Sequence, residues 1–163
     1  MLAIGLLIIG IFSRLLIHIP NFTPVLAIAL FGGVYLPKRY AILLPLALMV
    51  ISDFVIGMHS TIFFTWMSVI AIGALGLWLR NHKSWKTILS SSLASAVLFF
   101  IVTNLGVWLV GDLYSMTKEG FVECFVMAIP FFKWTLLSTV AYTVVLFGSY
   151  ERLRARYPKL VSI

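Results

Sequence analysis

Apolar residues run almost unbroken through six stretches of the chain, roughly 2–19, 25–36, 40–57, 61–80, 86–110 and 131–149. Polar residues gather in the short segments between them. A helix rises 1.5 Å per residue, so about 20 residues cross a hydrocarbon core about 30 Å thick. Four or five of the stretches meet that length. The pattern predicts an all-α integral membrane protein of about six transmembrane helices, forming one domain over 1–163 with a basic tail at 150–163. The second stretch, VLAIALFGGVYL, is bracketed by Pro24 and Pro37. It reaches only about 18 Å and either crosses a thinned region or re-enters.

Residues 117–129, TKEGFVECFVMAI, differ from the spans. Glu119 and Glu123 lie one turn apart, opposite Phe121, Phe125 and Met127–Ala128. This predicts a short interfacial helix that ends before Pro130, with the last span starting at Phe131. Lys133 and Trp134 then fall at the outer interface, where Lys snorkels and Trp anchors.

Composition agrees. The hydrophobic fraction is 62%, the charged fraction 10% and the mean hydropathy +1.10. Ten per cent charge cannot clothe a soluble domain, so the apolar surface faces lipid. The first stretch has no basic leader region, no A-x-A-like cleavage site and an internal Arg14, and reads as a retained helix.

The net charge of +7 could point to nucleic acid, but its distribution points to topology. Lys38 and Arg39 follow stretch two; Arg80, Lys83 and Lys86 follow stretch four; Arg152, Arg154, Arg156 and Lys159 follow stretch six. Nine of the twelve basic residues therefore share one face. By the positive-inside rule that face is cytoplasmic, with six crossings and both termini inside. If the second stretch re-enters, the N-terminus moves outside. No nucleic-acid partner is expected; the bilayer is.

Ionisable side chains within apolar runs cost several kcal/mol and call for a partner or a task. Arg14 lies near the outer end of the first span, with His18 one turn further on the same face. Asp53 closes the third span, followed by His59. Asn104 lies in the fifth span, with Trp108 one turn beyond and Asp112 and Tyr114 in the following loop. All map to the outer half, which suits a pocket for a small polar or amphipathic solute. Each also has a structural alternative. Arg14 and Asp53 can neutralise each other, the histidines can be solvated, Asn104 can tie helices together, and Trp66, Trp108, Tyr114 and Trp134 can be interface aromatics.

The segment HIPNFTP carries two prolines that lack the N–H to continue a helix and hold the residues before them extended. It predicts a rigid non-helical connection, tolerated at membrane depth only inside protein or beside a cavity. Its carbonyls, Asn21 and Thr23 are candidates for solute contact. Small residues at Gly32–Gly33, across Ala71–Gly76 and from Ser90 through Ala96 predict close helix approach, within the protein or against another subunit.

Catalytic patterns are missing. No G-x-S-x-G, H-E-x-x-H or Walker loop occurs, and the single Cys124 has no flanking base. No enzyme activity, cofactor or metal site is expected, although scattered His, Asp and Cys leave an intramembrane enzyme as a third reading.

Arg14 followed by PNFTP (20–24), then ALFGGVYL (29–36), Ser52–Asp53, TNLGVWLVGDLY (103–114) and AIPFF (128–132) together resemble a family of small bacterial membrane proteins of unknown function, regarded as transport proteins. More distantly the chain is similar to the S-components of energy-coupling-factor vitamin transporters and their solitary cobalamin-transporting relatives. The resemblance spans about residues 13–150. It implies an S-component-like six-helix fold in the inner membrane with an outward-opening pocket. Carried over by position, Arg14, Asn21, Phe22, Asp53, Asn104, Trp108 and Tyr114 are motif residues near that pocket.

The chain departs from those transporters in two places. The A-x-x-x-A pattern that docks an energising ATPase module is missing from the first span, which offers only Ala3, Gly5 and Gly10. The fourth span begins STIFFTWMS, without the cysteine of the cobalamin proteins. The expected function is small-solute, vitamin-like uptake or solute binding. The alternative is an assembly subunit without a ligand.

Overall fold

The computed structural model describes residues 2–17 and 19–157. It contains six α-helices and, among the described residues, no strand: α1 (Leu2–Leu16), α2 (Val25–Tyr35), α3 (Lys38–Ile56), α4 (Ile62–Leu79), α5 (Trp85–Val110) and α6 (Lys118–Arg156). The last four are long and apolar enough to cross a membrane, whereas α1 and α2 are shorter apolar helices. Large hydrophobic side chains such as Ile4, Phe54, Phe63 and Val145 are exposed on the helix surfaces. Only lipid accommodates such a surface, and the protein is a membrane protein.

The short second helix is the centre of the bundle. Every residue from Val25 to Val34 is buried, and α2 packs against all five other helices. Its apolarity on all sides follows from that position, since no face meets water. Pro24 and Pro37 set its limits. Pro24 accepts the first turn's bond from Ile28 N–H, and Leu36 turns extended ahead of Pro37. At its C-terminal end, Arg80 donates to the carbonyls of Gly33 and Leu36. A cation there completes orphan carbonyls and complements the helix dipole.

Glycines let α2 and α4 meet backbone to backbone. A Cβ on Gly33 would lie 2.5 Å from the Gly73 carbonyl oxygen and from Gly76 Cα. On the opposite side of α4, Gly73 packs against the Ala41 carbonyl of α3. That carbonyl has no helical donor, because the residue four positions on is Pro45. The small residues at these positions are thus used inside the protein.

One expectation is overturned. No separate interfacial helix ends before Pro130: α6 runs unbroken through it from Lys118 to Arg156. Proline removes one backbone bond, but α5 holds both halves of α6 in register. Cys124 Sγ meets the Asn104 carbonyl at 3.4 Å before the proline, and Phe132 packs on Phe100 after it. The buried face upstream is Gly120, Cys124 and Ala128, spaced by four, while Glu119 and Glu123 are exposed. The basic tail is helical to Arg156; residues 158–163, with Lys159, lie outside the described residues.

Candidate functional site

At the end of the bundle where α1 joins α2 and α3 joins α4, the helices part around a cavity of about 390 Å³. The other end carries Lys38, Arg39, Arg80, Lys83, Lys86 and the basic residues of α6. The cavity is therefore remote from most of the positive charge.

Arg14, in the last turn of α1, contributes one wall. Its guanidinium makes an ion pair with Asp53 of α3, Nη2 to Oδ1, at 2.8 Å. Nη1 donates to Ser52 Oγ at 2.5 Å and to Met49 Sδ at 3.2 Å. The second Asp53 oxygen accepts from Trp66 Nε1 of α4 at 2.8 Å. Asp53 is 1% exposed, so its carboxylate is locked between the guanidinium and the indole behind the cavity wall. Such burial is tolerable because the carboxylate is paired and hydrogen-bonded.

The non-helical link between α1 and α2 forms the lip. Phe22 N–H donates to the Ile19 carbonyl at 3.1 Å, and Asn21 has φ +60°. Proline second and a left-handed residue third make a type II turn, in which Asn is one of the few tolerated residues. The turn holds Asn21 over the cavity and lets its carbonyl accept from Ser138 of α6 at 3.3 Å. Phe22 points the other way. It packs edge-on against Trp134 and tilted against Tyr142, clamping the link onto α6.

A second cavity of about 210 Å³ adjoins the first and shares Asn21, Thr65, Phe99 and Thr135 with it. Its remaining wall combines Phe100, Phe131 and Phe132 with Val107, Ala128, Thr103 and Asn104. Asn104 lies here, its amide donating to the Phe100 carbonyl at 2.7 Å.

The structure thus brings together Arg14, Asp53 and Asn21 at the first cavity and Asn104 at the second. Phe22 supports the lip without lining either cavity. Trp108 and Tyr114 line neither. Trp108 instead donates to the Ser115 carbonyl at 3.0 Å and packs on Phe121. His18 lies outside the described residues.

The chain matches, over residues 1–160, a family described as one of unknown function, DUF6580. It belongs to that family. No curated protein and no solved structure matches it.

In this DUF6580 protein the residues that sequence reasoning missed are hydroxyls of α6. Thr135, Ser138 and Thr139 line the first cavity, and Thr65 of α4 joins them. A signal was present, since a Thr/Ser run at one-turn spacing within an apolar span marks an inward face. His59 also reaches the cavity, its Nδ1 2.9 Å from Thr61 Oγ1, while remaining exposed. Trp66, open to reading as a belt aromatic, is the partner of Asp53. No group of metal-ligating side chains occurs among the described residues.

Proposed function

We propose that this protein is a solute-binding membrane protein of the uptake type, with its pocket opening away from the cytoplasm. The observation that carries this reading is the cavity itself. Its volume suits a small molecule, and its wall combines convergent polar groups with apolar ones. It lies at the end poor in basic residues, and the positive-inside rule puts the opposite, basic end in the cytoplasm. The resemblance to vitamin-transporter S-components leads to the same arrangement, six crossings of the inner membrane with both termini inside.

In favour of this reading over an assembly subunit, Gly33, Gly73 and Gly76 pack against neighbouring helices of the same chain. Gly10 of α1 likewise faces Leu48 and Ile28 of this same chain.

Thiol labelling tests the outward pocket. Asn21→Cys in a Cys124→Ser background is treated, in intact cells, with a membrane-impermeant maleimide. Labelling from outside, suppressed by an extract of cell metabolites, supports an outward solute pocket. Labelling only after permeabilisation contradicts it.

A further inference from the structure

The two cavities also describe the kind of molecule that fits them, if the reading of them as a solute site holds. Among the described residues, Arg14 and His59 are the ionisable side chains that line the first chamber. Arg14 is already neutralised by Asp53, which is itself 1% exposed and behind the wall. An anion would have to displace a buried carboxylate held by two partners. A cation would find no carboxylate to reach. His59 is exposed to solvent, so neither charge finds a buried counter-charge in exchange for its water, which is costly.

The hydroxyls have a definite polarity. Thr65 donates to the Ile62 carbonyl at 2.7 Å, Thr139 to the Thr135 carbonyl at 2.6 Å, and Ser138 shares its proton between the Thr135 carbonyl at 3.1 Å and the Asn21 carbonyl at 3.3 Å. Their protons are spent on backbone carbonyls; Ser138 and Thr139 are buried, so the hydroxyl that offers an acceptor oxygen to the chamber is that of the part-buried Thr65. Asn21, at the lip, brings an amide that can donate or accept. The wall therefore matches a head group that both donates and accepts hydrogen bonds.

The second chamber is different. Beside Thr103 and Asn104, whose amide donates one N–H to the Phe100 carbonyl, its wall carries Phe100, Phe131, Phe132 and Val107. The Phe100 and Phe132 rings are 4.7 Å apart and tilted by 43°. A flat apolar ring finds stacking and edge contacts there.

We propose that the two chambers form one bipartite site for an uncharged amphipathic molecule. An amide-type head sits on Thr65 and Asn21, and a flat apolar ring sits against Phe132 and its neighbours.

Three probes with one ring and different heads test this: indole-3-acetamide, indole-3-acetate and tryptamine, with acetamide as the ringless control. Isothermal titration of the detergent-purified protein at neutral pH is expected to show the uncharged indole binding at least about tenfold more tightly than the other three. Phe132→Leu is expected to weaken it by about two- to tenfold, as loss of an aromatic contact does. Thr65→Val, which keeps the shape and removes the acceptor, should weaken it while sparing any binding by acetate-headed indole. A charged indole binding as well as or better than the neutral one overturns the ligand class but leaves a solute site standing. Acetamide binding as well as its indole derivative overturns the second chamber's role. No binding of any indole probe, in the wild type and in a Thr65→Trp variant alike, overturns both the class and the site.

Discussion

Arg14 and Asp53, separated by 39 positions in sequence, close a 2.8 Å ion pair that joins α1 to α3 beside the cavity. Apart from this pair, α1 is held mainly by packing such as that of Gly10 against Leu48. Breaking a buried pair from one side leaves an uncompensated charge and costs about 3–5 kcal/mol. Asp53→Ala and Arg14→Ala are each expected to lower the melting temperature of the detergent-purified protein sharply. The double variant Arg14→Met/Asp53→Leu should recover much of the loss. Additive losses in a thermal-unfolding double-mutant cycle would show that the two residues do not act as a pair.

Adjacent glycines of α2 are expected to behave oppositely. A Cβ on Gly32 meets only leucine side-chain atoms at 3.6 Å, whereas one on Gly33 meets the backbone of α4. Gly32→Ala should be neutral or stabilising by up to ~1 kcal/mol through helix propensity. Gly33→Ala should destabilise by at least ~1–3 kcal/mol, because backbone cannot yield as a side chain does. Fluorescence-detected size exclusion after a heating series checks both.

The basic end of the bundle carries a pH-dependent tie. Beyond the last apolar turn of α6, Glu151 Oε1 accepts from Lys83 Nζ and from Tyr35 Oη, both at 2.5 Å. Partial burial alone would raise the Glu151 pKa, but the bonds from Lys83 and Tyr35 outweigh it and hold it below the ordinary 4.5. A carboxylate depressed on folding adds stability that is complete above its unfolded pKa and lost as pH falls through the folded value. The wild type should therefore lose thermal stability on acidification below about pH 4.5. Glu151→Gln should be less stable at neutral pH and should show a smaller change over that acid range. An identical acid profile for the two proteins would exclude this tie.

Much of the fold was legible because lipid imposes a simple rule: apolar runs become helices, and basic residues cluster at one end. The limits of α2 followed from Pro24 and Pro37, and close helix approach from the small residues around Gly33, Gly73 and Gly76, although not the pairing of α2 with α4. Pro130 misled for a physical reason. A proline stops an isolated helix, but here α5 supports α6 on both sides of it, and no local pattern reports a neighbour. The same distinction runs through the site. Arg14, Asp53 and Asn21 stood out as costly or conformationally special residues in apolar surroundings. Thr135, Ser138 and Thr139 carry a one-turn spacing that marks an inward face, but only the third dimension shows that this face borders a cavity. Trp108 and Tyr114 were grouped with the pocket by sequence proximity to Asn104, yet the helix end and the following loop carry them off its walls.

The most direct measurement is native mass spectrometry of the detergent-purified wild type beside Thr65→Trp, whose indole would fill the junction of the two chambers. A solute-binding protein should carry a reproducible small molecule at near one-to-one stoichiometry. That molecule should be absent from the folded Thr65→Trp variant. The same adduct on both proteins, or a bare wild type after growth in several media and incubation with metabolite extract, would contradict the cavity as a ligand site.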